Sequence, residues 1–144
     1  MTTIFVAEDE TIIRLDLVEV LREEGYDIVG QCGRGDEAAE QIRQLEPDVA
    51  ILDVKMPGLS GIEAARVIAA ETRTALIMLT AFGQRELINE ASDAGAMAYL
   101  VKPYQRQDLV AAVELAMVRA RELADLRQEL SAAEQRLQLS LIHI

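Results

Sequence analysis

VAILDVKMPGLSG, residues 49–61, decides the fold. Four consecutive apolar residues, Val49 to Leu52, deliver a single carboxylate, Asp53, to the end of a run too short for a helix. The segment from Lys55 to Gly61 is then broken by Pro57, Gly58 and Gly61, so it reads as a loop. A strand without polar alternation must be covered on both faces, as in a parallel sheet between two helix layers. The segment ALIMLT (75–80) has the same character.

Outward from this stretch, apolar runs alternate with helix-period segments five times. TIFVA (3–7) reads as the first strand. The first helix carries Ile13, Leu17, Val20 and Leu21 inward and Arg14, Asp16, Glu19 and Arg22 off that face, with Gly25 placed to end it. DIVGQC (27–32) is the second strand. Asp36 is expected to cap a second helix with Ala39, Ile42 and Leu45 inward, stopped by Pro47. Strand three is 49–53, followed by a helix from near Gly61 with Ile62, Ala65, Ile68 and Ala69 inward. Strand four is 75–80, and its helix presents Leu87, Ile88 and Ala91 before Gly95. Strand five is 97–101, and a long helix starts near Gln105. The fold class is α/β, an open doubly wound sheet with right-handed crossovers. Ligands of such sheets collect at the carboxyl ends of the strands.

Composition narrows the setting. A chain of 144 residues suits one domain with a sizeable core. No apolar run approaches the ~20 residues of a membrane span, and MTTIFVAEDE lacks the basic start of a secretory signal. One cysteine, Cys32, permits no internal disulfide; a reducing cytoplasm is expected. Net charge is −11. Six bases (Lys102, Arg106, Arg119, Arg121, Arg127, Arg136) balance six acids (Asp108, Glu114, Glu122, Asp125, Glu129, Glu134) from residue 102 onward, so the deficit lies before it. No basic patch for nucleic acid is visible.

The strand ends supply the chemistry. Strand one ends on Glu8, Asp9 and Glu10, strand three on Asp53, strand four on Thr80, and strand five on Lys102 followed by Pro103. Carboxylates gathered at one edge repel unless a pKa rises or a cation joins them. An all-oxygen set beside an open loop suits Mg²⁺. An ionised Asp53 there can attack a phosphoryl group and form an acyl phosphate. The metal, the Lys102 ammonium, the Thr80 hydroxyl and backbone N–H groups of the loop would then hold the phosphoryl oxygens.

VAEDE, ILDVKMPGLSG, LTAFG and AMAYLVKP, in this order and spacing, resemble the receiver domain of two-component response regulators over residues 3 to about 120. The resemblance implies a flavodoxin-like sheet of order 2-1-3-4-5 with an extended C-terminal helix. It implies that Asp53 accepts phosphate from a sensor histidine kinase's phosphohistidine, and that Glu8, Asp9, Asp53 and the Lys55 backbone carbonyl hold Mg²⁺. Thr80 and Lys102 would bind the phosphoryl group, Thr80 and Tyr99 would act as the switch pair, and Lys102–Pro103 is a peptide often cis in such domains. The acidic pair here is Glu-Asp where that family often has Asp-Asp, which makes Asp9 the safer ligand. TAFGQRELINEASDAGAMAYLVKPY is similar, more narrowly, to receivers of regulators with an RNA-binding ANTAR output module, which act in transcription antitermination.

Three rival classes fit these residues less well. An aspartate-nucleophile phosphohydrolase usually needs a second acid two residues after the nucleophile, where Lys55 stands. A flavin- or nucleotide-binding protein of flavodoxin type needs a glycine-rich phosphate loop after strand one, where EDETIIR is acidic. An interaction scaffold without phosphotransfer is opposed by the intact set of strand-end residues. The chain is therefore read as a switch, not an enzyme, that catalyses only its own phosphorylation and dephosphorylation.

The last helix divides the chain. Leu109, Val113, Ala116, Ala120 and Leu123 recur at steps of four and three; Leu126, Leu130, Ala133 and Leu137 follow on a shifted line. The expected organisation is a receiver at 1–121, a helical extension at 122–139 with a short coiled-coil seam, and a tail at 140–144 that leaves the helix pattern. A homodimer through the extension is expected, with no direct nucleic acid or membrane contact by this segment. His143 has no second ligand-type neighbour.

Overall fold

The computed structural model describes residues 1–81 and 85–142, with the backbone alone for 139–142. Strands and helices alternate as β1 (Thr3–Ala7), α1 (Thr11–Glu23), β2 (Asp27–Cys32), α2 (Gly35–Leu45), β3 (Val49–Asp53), α3 (Gly61–Glu71), β4 (Ala75–Thr80), α4 (Arg85–Asp93), β5 (Ala96–Val101) and α5 (Arg106–Ile142). The five strands are parallel in the order β2-β1-β3-β4-β5. Strand order reverses between β1 and β3, and this places the ends of both at the switch point of the sheet.

Alternation of side chains along each strand splits the core in two. Ile4 and Val6 of β1, Val49 and Ile51 of β3, and Ile77 and Leu79 of β4 face α1 and α5 with Leu17, Val18, Leu21, Leu109, Val113 and Ala116. Phe5, Ala50, Leu52, Leu76 and Met78 face α2 and α3 with Ala38, Ile42, Ile62, Ala65 and Ile68. All five residues of β3 and all six of β4 are buried, as strands without polar alternation require.

Two glycines seat the loop after β3. The Gly61 N–H donates to the Val54 carbonyl at 2.8 Å, and a Cβ at Gly61 would overlap the Asp53 carbonyl. The Gly35 N–H donates to the Pro57 carbonyl at 3.0 Å, and a Cβ there would overlap the Leu59 carbonyl. Ser60 and Glu63 close the loop with a reciprocal capping box at the start of α3.

Several helix expectations are corrected. Asp36 does not cap α2: Arg34 is the N-cap residue, and Asp36 in the first turn pairs with it at 3.1 Å. Leu45 is exposed because α2 ends there, and Ala38 takes its place inside. Val18 is buried beside Leu17 and Leu21, and Val20 packs half-buried against the same core. On α4 only Ala91 is buried, with Ile88 exposed. β5 begins one residue earlier, at Ala96. The helix pattern does not break at 140, for α5 is continuous to Ile142. Phe82 and Gly83 of the LTAFG motif, and His143, lie outside the described residues.

Candidate functional site

The residue after β1 continues the β1–β2 pairing, with the Glu8 N–H donating to the Cys32 carbonyl at 3.0 Å. The Glu8 carboxylate is fully buried. Its Oε1 accepts from the Glu10 N–H at 3.2 Å and its Oε2 from Lys102 Nζ at 2.9 Å. Asp53, only 6% exposed, ends β3 beside it; its Oδ2 accepts from the same ammonium at 3.2 Å and its Oδ1 from the Lys55 N–H at 3.4 Å. Asp9 is exposed at the rim. One ligand oxygen from each of Glu8, Asp9 and Asp53 lies within 4.8 Å of the others.

The backbone explains this convergence. β1 and β3 are hydrogen-bonded neighbours, so their ends meet. Lys102 follows β5, two strands from β3, and its four-carbon stem spans the gap while its N–H donates to the Thr80 carbonyl at 2.7 Å. The Lys102–Pro103 peptide is cis. Thr80 is buried at the end of β4 between them, and Tyr99 of β5 is half-buried against the α2–α3 side of the core. The acidic turn directly precedes α1, whose N-terminal N–H groups favour negative charge.

The electrostatics follow from burial. Burial raises the Glu8 carboxyl, the neighbouring Asp53 pushes the same way, and Lys102 offsets only part, so its pKa lies at about 7 against an ordinary 4.5. Burial opposes the Lys102 charge, but hydrogen bonds and attraction from Glu8 and Asp53 outweigh it and hold the ammonium above its usual value. Burial also raises the Tyr99 phenol. With all three acids ionised, one ammonium leaves two negative charges, the deficit that one divalent cation fills. Hard oxygens around an open rim fit Mg²⁺, which takes few carboxylates and keeps waters.

One residue here was read from sequence as merely off the apolar face. Arg14 donates from Nη1 to the Glu8 carbonyl at 2.7 Å and from Nε to Gln31 Oε1 at 3.3 Å. Helix periodicity gives no sign of this, because the contact runs back along the helix to the turn before it. The Ser60–Glu63 capping box carries its own sequence signal, Ser-x-x-Glu.

Residues 4–114 match the response regulator receiver domain family. The chain is 51% identical over 135 residues to the transcriptional regulatory protein PdtaR of Mycobacterium tuberculosis, covering 94% of this chain and 66% of that protein. It is 31% identical to the chemotaxis protein CheY of Thermotoga maritima, covering 76% and 92%. The receiver domain of the response regulator NarL from Mycobacterium tuberculosis superposes with a TM-score of 0.76 at 30% identity, covering 80% of this chain and 95% of that one.

A pH dependence of stability follows for the metal-free protein. Native Glu8 binds its proton more tightly than the unfolded chain does, so its contribution is complete below about 4.5 and is lost as pH rises through about 7. In EDTA, urea unfolding should show stability falling across that window, by about 3 kcal/mol at the upper bound. Glu8→Gln should flatten that part of the profile. An identical profile in the variant would contradict the assignment.

Proposed function

The chain belongs to the response regulator receiver domain family, and from that premise we propose that it accepts a phosphoryl group on Asp53 from the phosphohistidine of a sensor histidine kinase. The observation that carries this reading is Asp53 itself, a nearly buried carboxylate at the end of the central strand with Lys102 Nζ 3.2 Å away and an acidic cluster beside it. A carboxylate oxygen of Asp53 attacks phosphorus, the new O–P bond forms, the P–N bond breaks, and its electron pair stays on the imidazole nitrogen, which takes a proton. Lys102 already bridges the two buried carboxylates and meets the incoming phosphoryl oxygens as an ammonium, with the Thr80 hydroxyl alongside.

Asp9, Asp53 and the Lys55 carbonyl would hold Mg²⁺, and the chemistry bound Mg²⁺ supplies is neutralisation of charge on the phosphoryl oxygens. Glu8 would join them, since each of its oxygens accepts one hydrogen bond, from Lys102 or the Glu10 N–H, and keeps a second lone pair. Asp9 makes no hydrogen bond or ion pair among the described residues and is the accessible ligand. The apolar surface beside the site suits a kinase helix: Ile12 of α1 is 85% exposed and Leu15 is exposed next to it.

A phosphoryl group brings roughly two negative charges. Thr80 and Tyr99 carry their arrival to the face of α4, β5 and α5, where Ile88, Val101 and Leu115 are exposed. The chain spans 66% of the length of its mycobacterial relative, a transcriptional regulatory protein. Output by transcription antitermination in a longer polypeptide is proposed on that similarity and on the ANTAR-like wording of the α4–β5 region. The buried Cys32 thiol suits a cytoplasmic setting, and among the described residues no helix is long and apolar enough to cross a membrane.

The receiver at 1–121 is followed, in this reading, by an extension that pairs with a second copy. Leu126, Leu130 and Leu137 are 53%, 56% and 63% exposed. From Leu123 to Leu137 the helix advances about 20 Å. This stretch is the far part of the continuous α5, and its leucines lie exposed to solvent; a two-fold pair is the simplest partner for such a stripe.

Two experiments test these proposals. Acetyl phosphate with Mg²⁺ should add one phosphate to the protein by mass spectrometry and none to Asp53→Asn; undiminished labelling of the variant would remove Asp53 from its role. Light scattering should find a dimer for the full chain and a monomer for a chain cut after Arg121. Monomers in both, well above micromolar concentration, would refute the pairing.

A further inference from the structure

Arg14 lies on the first turns of α1, its N–H donating to the Glu10 carbonyl at 2.9 Å. Its side chain leans towards the helix N-terminus, the direction helical side chains take. There Nη1 meets the Glu8 carbonyl at 2.7 Å, a short charge-assisted bond, while Nε reaches Gln31 of β2 at 3.3 Å. Gly33 makes the slot: a Cβ at that position would stand 2.9 Å from Nη1, 3.4 Å from the Asp9 Cα and 3.5 Å from the Glu8 oxygen. The guanidinium, the acidic turn and the end of β2 are thus in mutual contact.

We propose that Arg14 is a positioning residue for the acidic turn, fixing the Glu8–Asp9 peptide and so aiming the Asp9 carboxylate at a divalent cation. The inference rests on the reading of Asp9 and Asp53 as metal ligands. The Glu8 carbonyl and the Asp9 nitrogen belong to one planar unit. Holding the carbonyl therefore restricts the orientation from which the Asp9 side chain departs. Asp9 makes no other bond among the described residues, so this peptide is its anchor. The fork matters as well as the charge, because Nη1 and Nε bind two different elements at once.

Charge and position predict opposite signs. A cation beside a dication site repels the metal, so charge alone predicts that Arg14→Ala tightens Mg²⁺ binding. Positioning predicts that it weakens. Gly33→Ala offers a second variant with the charge retained: its new methyl would crowd only the flexible end of the Arg14 side chain, which can give way, and would stand at ordinary contact distance from the Asp9 Cα and the Glu8 oxygen.

Titrations of Mg²⁺ into the full chain, followed by amide NMR shifts around Asp9 and Val54, decide the matter. Arg14→Ala and Gly33→Ala should each bind about 10-fold more weakly than the unaltered protein, and Arg14→Lys should lie between. In the metal-free state the Asp9 amide shift should move in both alanine variants. Binding of Arg14→Ala as tight as or tighter than the unaltered protein, or unchanged binding by Gly33→Ala, overturns the proposal. If the unaltered protein shows no saturable shift that Asp9→Ala weakens, the metal reading itself falls and takes this inference with it.

Discussion

A single ammonium set between two buried carboxylates governs this molecule. Lys102 Nζ lies 2.9 Å from Glu8 and 3.2 Å from Asp53, and neither acid is reached by bulk water to any extent. Buried charges persist only when paired and hydrogen-bonded. Every strand of the sheet except β2 ends on a residue of this edge: Glu8 after β1, Asp53 on β3, Thr80 on β4 and Lys102 after β5. The order β2-β1-β3-β4-β5 puts the two acids on adjacent strands and leaves the lysine to span from the far side. The aliphatic layers above and below exclude water and thereby raise the cost of leaving any of these charges unmatched.

That shortage of positive charge gives the site its chemistry. Lys102 neutralises one acid, burial holds the Glu8 proton up to about pH 7, and a divalent cation at the rim would meet the rest. In the proposed reaction the balance changes again when Asp53 takes a phosphoryl group. Lys102 is tied through its N–H to Thr80 and precedes α5 by four residues. In the proposed switch, a change in its contacts would reach the base of the helix that carries the exposed leucines.

The inner strands were legible because burial on both faces leaves an unambiguous mark: β1, β3 and β4 span the segments read for them, whereas β2 is buried only at Cys32. The strand-end residues were legible as types and as places, which sufficed to gather Glu8, Asp53 and Lys102. Helix faces were read less well. Val18 joins Leu17 and Leu21 inside while Val20 is only half-buried, a grading set by tertiary packing with no trace in the period of α1 alone. Asp36 has the chemistry of a cap, but Gly35 must approach the Leu59 carbonyl, and this starts α2 earlier. Arg14 was misread for a related reason. A long side chain off the apolar stripe is usually solvated, yet this one folds back onto a carbonyl six residues before it.

The most direct test of the account is a crystal structure of the protein with Mg²⁺ and beryllofluoride, a stable mimic of the phosphoryl group. The account predicts a fluoroberyllate on the Asp53 carboxylate, the metal against Asp9 and Asp53, and Lys102 Nζ turned to a fluorine. Beryllofluoride on another residue, or Lys102 still bridging Glu8 and Asp53 with Asp53 unmodified, would contradict it.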